Sequence, residues 1–277
     1  MPKTARKGPV AKQSKPQKKK GPNRPKALRT PPPSGNSGAV RLQVLLARAG
    51  FGSRRSCERL ISEGSVAVNG RVIDRLGSTA DPTRDFIKVD GQALKLPRRN
   101  EYLVLHKPVA CVTTMQDPEG RFSVGDIVAT LDRRLFPVGR LDYQSSGLLV
   151  LTDDGALTER LTHPRYHVAK TYVAKVSRAP GHGALGQLRK GVALSDGQTA
   201  PARVTVTGAA GGKAWVEIRI AEGRNQQVRR MFEAVGARVE KLRRIAIGPL
   251  KLGKLPSGGL RRMEAAELAE LKKALGL

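Results

Sequence analysis

The sequence predicts an α+β protein in which a small helix–helix–hairpin domain precedes a larger domain built on a mixed sheet. Three observations carry this. Residues 41–73 change from helical periodicity to short β-rich runs joined by an Asn-Gly pair. The runs "YLVLH", "LLVLT", "TYVAKV", "AWVEIRI" and "KLRRIAIG" fill the chain beyond residue 101 with few helical segments between them. No repeat of fixed period joins them. The expected division is a basic tail over 1–38, the small domain and its linker over 39–98, and the large domain over 99–277.

The tail holds eleven Lys/Arg, eight Pro and no Asp or Glu. So little apolar surface cannot offset the entropy of ordering, so disorder is expected, and a one-signed arm suits contact with phosphates. In the small domain, "RLQVLLARAG" places Leu42, Leu45, Leu46 and Ala49 on one helical face, with Gly50 as the stop. Ser53 is a suitable N-cap for "RRSCERLISEG", which Gly64 ends. "SVAVNGRVI" is two strands around Asn69-Gly70, a strong hairpin signal, and "FIKVDGQAL" adds a strand and a second turn. "KLPRRN" links this module to the rest.

A formal charge of +28 over 277 residues favours a polyanionic partner. No apolar run approaches the roughly 20 residues of a membrane span, and no signal-peptide core follows the start, so a cytoplasmic protein without a membrane partner is expected. Cys57 and Cys111 form no metal-binding pattern and suit reduced thiols. His163 and His167 have i,i+4 spacing, but Pro164 between them argues against one helix presenting both, so no metal site is expected.

"VGRLDYQSSGLLVLTDDG" (138–155) raises the functional question, because three carboxylates stand in a basic chain. Asp153 and Asp154 precede Gly155 at a strand–helix junction, where such side chains cap free backbone N–H groups. Asp142 lies on a polar loop between two apolar runs, and a loop held at both ends can present a side chain to a cleft. On residues alone, turn-making and chemistry are evenly matched for it.

That segment resembles the signature of the RNA pseudouridine synthases, in the RsuA family that modifies ribosomal RNA. "HKPVACV", "KTYVAKV", "EGRNQQVRRMFEAVG" and "LPSGGLRRMEAAEL" resemble further family segments. Ala110 stands where glycine is usual, and Ser145 where threonine is common. The order of elements around "SRRSCERLISEGSVAVNGRVI" resembles the RNA-binding domain shared with ribosomal protein S-four, which members of this family carry before the catalytic domain. The resemblance covers about residues 41–270 and implies a mostly antiparallel catalytic sheet.

It also implies a reaction. The N-glycosidic bond of a uridine is cut, the base turns, and the ring is rejoined through carbon, with no redox change and no cofactor. Asp142 matches the family's catalytic aspartate; attack on the anomeric carbon and abstraction of an adjacent ribose proton both remain open. Tyr172 matches the ring stacked on the everted base. Arg229 matches a basic residue that pairs with the aspartate, and it borders the apolar stripe of a helix expected to run from an Asn225 cap to Gly236, with Val228, Phe232 and Val235 inward. Arg230 is expected to be exposed. Arg140 matches an arginine that contacts RNA beside the flipped nucleotide, and Arg54, Arg55 and Arg59 match the RNA-docking helix of the small domain.

The partner so implied is ribosomal RNA, free or in precursor particles, met by a monomer. "QDPEGRFSVGDIV" is more similar to large-subunit members. The competing readings are a ribosome-assembly factor that only binds RNA, and the same enzyme acting on small-subunit ribosomal RNA or transfer RNA. A glycosidase is disfavoured because no acid–base carboxylate pair is evident.

Overall fold

The computed structural model describes residues 38–97 and 99–277. The expectations for the tail lie outside these residues. The described chain divides into two compact units, one of residues 38–46 and 52–94, the other of 47–51 and 95–277.

In the first unit a short strand β1 (Val40–Arg41) leads into α1 (Leu42–Arg48), and α2 (Arg54–Ser62) follows. Leu42, Leu45 and Leu46 are fully buried, as the helical spacing requires. Ser53 caps α2 by accepting from the Ser56 amide. Strands β2 (Val66–Val68) and β3 (Arg71–Ile73) pair antiparallel with Val68 opposite Arg71. Asn69 and Gly70 between them both take positive φ, 50° and 79°, as a two-residue turn matching strand twist demands. β4 (Thr79–Ala80) pairs with β1, while β5 (Ile87–Val89) and β6 (Gln92–Ala93) complete a four-stranded sheet. Arg54, Arg55 and Arg59 lie exposed on α2.

The second unit is built on strands β7 (Tyr102–Lys107), β8 (Phe136–Pro137), β9 (Ser145–Thr152), β10 (Lys170–Val176), β11 (Ala193–Leu194), β12 (Gly197–Gln198), β13 (Arg203–Ala210), β14 (Lys213–Ile220), β15 (Val239–Ile247), β16 (Leu250–Lys251) and β17 (Leu260–Arg262). Nine of them form one sheet, with β13-β14-β10-β15-β9-β7-β17 in order and β8 and β16 attached to β9 and β15. β11 and β12 form a separate hairpin. Every pairing in the large sheet is antiparallel except β9 with β15, so the sheet is mixed and mostly antiparallel.

Apolar residues cover both faces of this sheet. Leu149 and Leu151 of β9 join a core with α3 (Val124–Val128), α5 (His182–Lys190) and α6 (Gln227–Ala234), to which Leu188, Met231 and Phe232 contribute. Leu148 and Val150 face the other way, onto α4 (Gly155–Thr162) and α7 (Ala265–Leu275). Burial on both faces explains why "LLVLT" reads as an unbroken apolar run rather than an alternating one. At its end Asp154 caps α4, accepting from the Ala156 and Leu157 amides at 3.0 and 3.1 Å, while Asp153 pairs with Arg133 at 2.5 Å. Both carboxylates are structural. His163 and His167 flank a 3-10 turn, Pro164–Tyr166, and share no helix.

α6 departs from expectation at its start. Its N-cap is Gln226 in a left-handed conformation, φ 45°, not Asn225. The Gln227 carboxamide reaches back instead, accepting from the Arg224 amide at 3.0 Å. Val228 and Phe232 are buried, and Val235 is half-buried against the same core.

Candidate active site

Asp142 sits on the loop between β8 and β9, and its backbone neighbours leave that loop little freedom. The Thr113 hydroxyl donates to the Leu141 carbonyl at 2.7 Å and accepts from the Leu141 amide at 3.2 Å. The Ala110 amide donates to the Tyr143 carbonyl at 2.8 Å, and the Ser145 amide closes a turn onto the Asp142 carbonyl at 3.0 Å. The fourth hold is Arg229, whose Nη2 donates to the Gln144 carbonyl at 2.9 Å while Nη1 donates to the Val239 carbonyl at 3.1 Å.

That geometry corrects the expected Asp142–Arg229 ion pair. Both guanidinium arms of Arg229 are taken up by carbonyls, and the salt bridges of the described residues do not include it. Burial lowers the Arg229 pKa, and the nearby Asp142 charge offsets part of that fall. The attraction acts through space, while the contact is to the loop backbone. Arg230 is corrected too: it is half-buried and bound to Asp196 at 2.5 Å, which holds the Asp196 carboxyl down at about 2.

Asp142, Arg140 and Tyr172 line one cleft of about 410 Å³, a size suited to a nucleoside. Its floor comes from neighbouring strands. Pairing sets Tyr172 of β10 opposite Arg244 of β15, and Arg244 opposite Gly147 of β9. Two residues along each strand, on the same face, Ala174, Leu242 and Ser145 form a second row. Gly147 has φ +113°, and a Cβ there would stand 2.2 Å from the Arg244 carbonyl oxygen, so only glycine lets β9 and β15 approach so closely. Arg140 is exposed at the cleft mouth, Asp142 is half-buried, and Tyr172 is 9% exposed.

Two cations here were missed by sequence reasoning. Lys107 is fully buried, and its ammonium donates to the Pro108 and Cys111 carbonyls at 2.8 and 2.6 Å. Burial lowers its pKa, and electrostatic coupling to Cys111 and Asp142 opposes that fall. Arg244 is 3% exposed, with Nε donating to the Leu148 carbonyl at 2.8 Å. Period two in "KLRRIAIG" would have found it: Leu242 faces inward, so Arg244 must as well. Among the described residues no group of three or more His, Cys, Asp or Glu could hold a metal ion.

The arrangement sets one half-buried carboxylate in a cationic cleft floored by an aromatic ring. Comparison with known proteins agrees in kind. Residues 101–234 match the RNA pseudouridylate synthase family, and residues 40–84 match the S4 domain. The chain is 42% identical over 239 residues to an uncharacterized RNA pseudouridine synthase of Aquifex aeolicus, covering 86% of this chain and 96% of that one. The chain belongs to the RNA pseudouridine synthase family. Another member is the ribosomal large subunit pseudouridine synthase B of Bacillus subtilis, 43% identical over 84% of this chain and 95% of its own. A crystal structure of a pseudouridylate synthase superposes with a TM-score of 0.61 at 29% identity, covering 84% of this chain and 99% of that chain. The α+β fold and the RNA pseudouridine synthase chemistry are therefore those of this family, an isomerisation of uridine in RNA.

Proposed function

We propose that this pseudouridine synthase isomerises a uridine of large-subunit ribosomal RNA and that Asp142 is its catalytic residue. The observation that carries the reading is the single acidic side chain among the cleft-lining residues, held on a four-point-braced loop beside Tyr172. An everted uridine places its ribose against Asp142 and its ring over Tyr172, where stacking offsets about 1–3 kcal/mol of the unstacking cost. The carboxylate then serves as nucleophile at the anomeric carbon or as base toward the adjacent ribose proton. Bond balance is internal to the nucleotide: C1′–N1 breaks, C1′–C5 forms, and the C5 proton leaves while N1 gains one. Arg229 is a positioning residue in this scheme, acting on Asp142 through Gln144.

The large-subunit target is supported by the Bacillus subtilis relative and by the loop "QDPEGRFSVGDIV". Arg140 at the cleft mouth and Arg54, Arg55 and Arg59 on α2 suit phosphate contacts, with guanidinium forks that grip two oxygens. The same reading has the enzyme act as a cytoplasmic monomer on free RNA or precursor particles, which two buried cysteines outside any disulfide fit.

The test is release of tritium from 5-tritiated uridine in transcripts of large- and small-subunit ribosomal RNA. The full-length enzyme should release label from the large-subunit transcript. Asp142→Asn should bind that transcript with unchanged affinity while release falls by about 10²–10⁴-fold or more. Release by Asp142→Asn at the wild-type rate removes the catalytic assignment, and label released only from the small-subunit transcript removes the target.

A further inference from the structure

The cleft carries more positive charge than its one carboxylate can balance. Arg140, Lys170, Arg224 and Arg244 line it, against Asp142 alone. Two of the four have other work or freedom: Arg224 is tied to Glu222 at 3.3 Å and to the Gly197 and Gln198 carbonyls, and Arg140 is exposed. Lys170 and Arg244 are the unbalanced pair. Neither forms an ion pair among the described residues. Arg244 uses Nε on the Leu148 carbonyl, but its Nη2 is buried without a hydrogen-bond partner. Ser145 Oγ, 1% exposed in the same cleft, is a second orphan.

An unpaired buried N–H or O–H costs about 1–3 kcal/mol, more when charged, so two such atoms lining one cleft favour a polar ligand there. The charge of that ligand follows from Lys170. Burial first, and then the adjacent Arg244 charge, lowers its pKa. Two like charges held together with no counter-ion repel until an anion enters between them. A uracil ring brings only neutral carbonyls. The anion that an RNA strand brings is its phosphodiester, whose oxygens suit the fork of one arginine and the point charge of one lysine.

We propose that Lys170 and Arg244 form an anion seat on the cleft floor that takes a backbone phosphate flanking the everted uridine. The inference rests on the functional reading above and adds the substrate group that the floor holds. Lys170 lies two residues before Tyr172 on β10, so one strand fixes the phosphate and the stacking ring together. The seat registers the nucleotide: the phosphate is gripped before the ribose meets Asp142.

The probes are uridine and uridine 3′,5′-bisphosphate, titrated against the full chain by calorimetry. Wild type should bind the bisphosphate at least about tenfold more tightly than uridine, one or two charge-assisted hydrogen bonds' worth. Lys170→Met and Arg244→Met should each abolish that preference, and Lys170→Arg should keep it. Arg244→Met also loses the bond to Leu148, so the Lys170 pair of variants decides the matter if Arg244→Met does not fold. Equal binding of the two probes by wild type, or an undiminished preference in Lys170→Met, overturns the seat. Tritium release by wild type, read in parallel, separates the two proposals. Release without a Lys170-dependent preference overturns the seat alone, and a Lys170-dependent preference without release keeps the seat and overturns the enzymatic reading.

Discussion

Arg229 Nη2 stands 2.9 Å from the Gln144 carbonyl oxygen, and that hydrogen bond makes the arginine a strut between the Asp142 loop and the Val239 carbonyl at the start of β15. A strut needs two donors at a fixed angle, which guanidinium has and ammonium lacks. Arg229→Lys should therefore keep the charge and lose the bridge, lowering kcat by about 10–100-fold with KM little changed. Steady-state kinetics on the large-subunit transcript would check this. Wild-type kcat in the lysine variant would mean that charge alone matters at this position.

Ala110 occupies a left-handed conformation, φ 55°, at an exposed site. A side chain there costs about 1–2 kcal/mol that glycine avoids, offset in part by the greater chain freedom of glycine when unfolded. Ala110→Gly should raise unfolding free energy by up to about 1 kcal/mol, read as a higher urea midpoint at constant slope. A lower midpoint would contradict the strain account.

Gly147 presents the opposite case. Alanine there would place its Cβ 2.2 Å from the Arg244 carbonyl oxygen and 2.6 Å from the Arg244 nitrogen. Strain and overpacking together should cost about 3 kcal/mol or more and disrupt the β9–β15 pairing. The expected result is a poorly soluble protein or one with a sharply reduced urea midpoint. An unchanged midpoint would show that the strands can separate freely.

Acid should unfold the catalytic unit partly through Asp154. Burial raises its pKa, but hydrogen bonds from the Tyr102 hydroxyl and from the Leu157 and Ala156 amides outweigh burial and leave it below the ordinary 3.8. A carboxyl with a depressed folded pKa gives stability that is complete above the unfolded value and disappears as pH falls through the folded one. Urea midpoints measured downward from about pH 5 should drop less steeply below about pH 4 in Asp154→Asn than in wild type. Parallel curves would assign the acid limb elsewhere.

Neutralising Arg54, Arg55 and Arg59 to glutamine tests the other unit. For each duplex phosphate that α2 no longer neutralises, the slope of log affinity against log salt should flatten by roughly 0.9. Filter binding across a salt series gives that slope directly, and an unchanged slope would mean that α2 does not face RNA.

The local signals in the sequence are strong where one residue type answers one backbone need. Ser53 as a cap, Asn69-Gly70 as a turn and Asp154 at a strand–helix junction are of this kind, and each does in the structure what its type suggests. The start of α6 misleads because Asn225 is a good cap by type, while the tertiary contact of Gln227 with Arg224 decides the boundary. Arg229 misleads for a related reason: position beside a carboxylate says nothing about which atoms its donors reach. Lys107 escapes a reading of the sequence because buried cations are rare, even though the carbonyls that receive it, Pro108 and Cys111, are close by in the chain. Arg244 is legible from the strand period, but the Leu148 carbonyl that makes its burial tolerable lies 96 residues away.

The parallel pairing of β9 with β15 has a bearing on biosynthesis. Arg244 must find Leu148, 96 residues earlier in the chain, before the cleft has a floor. The strand pairings of the amino-terminal unit reach no further than Val40 with Ala80, so they can form while translation continues. A growing chain therefore completes its S4 unit well before its catalytic unit, and a product truncated between them would carry the first without the second.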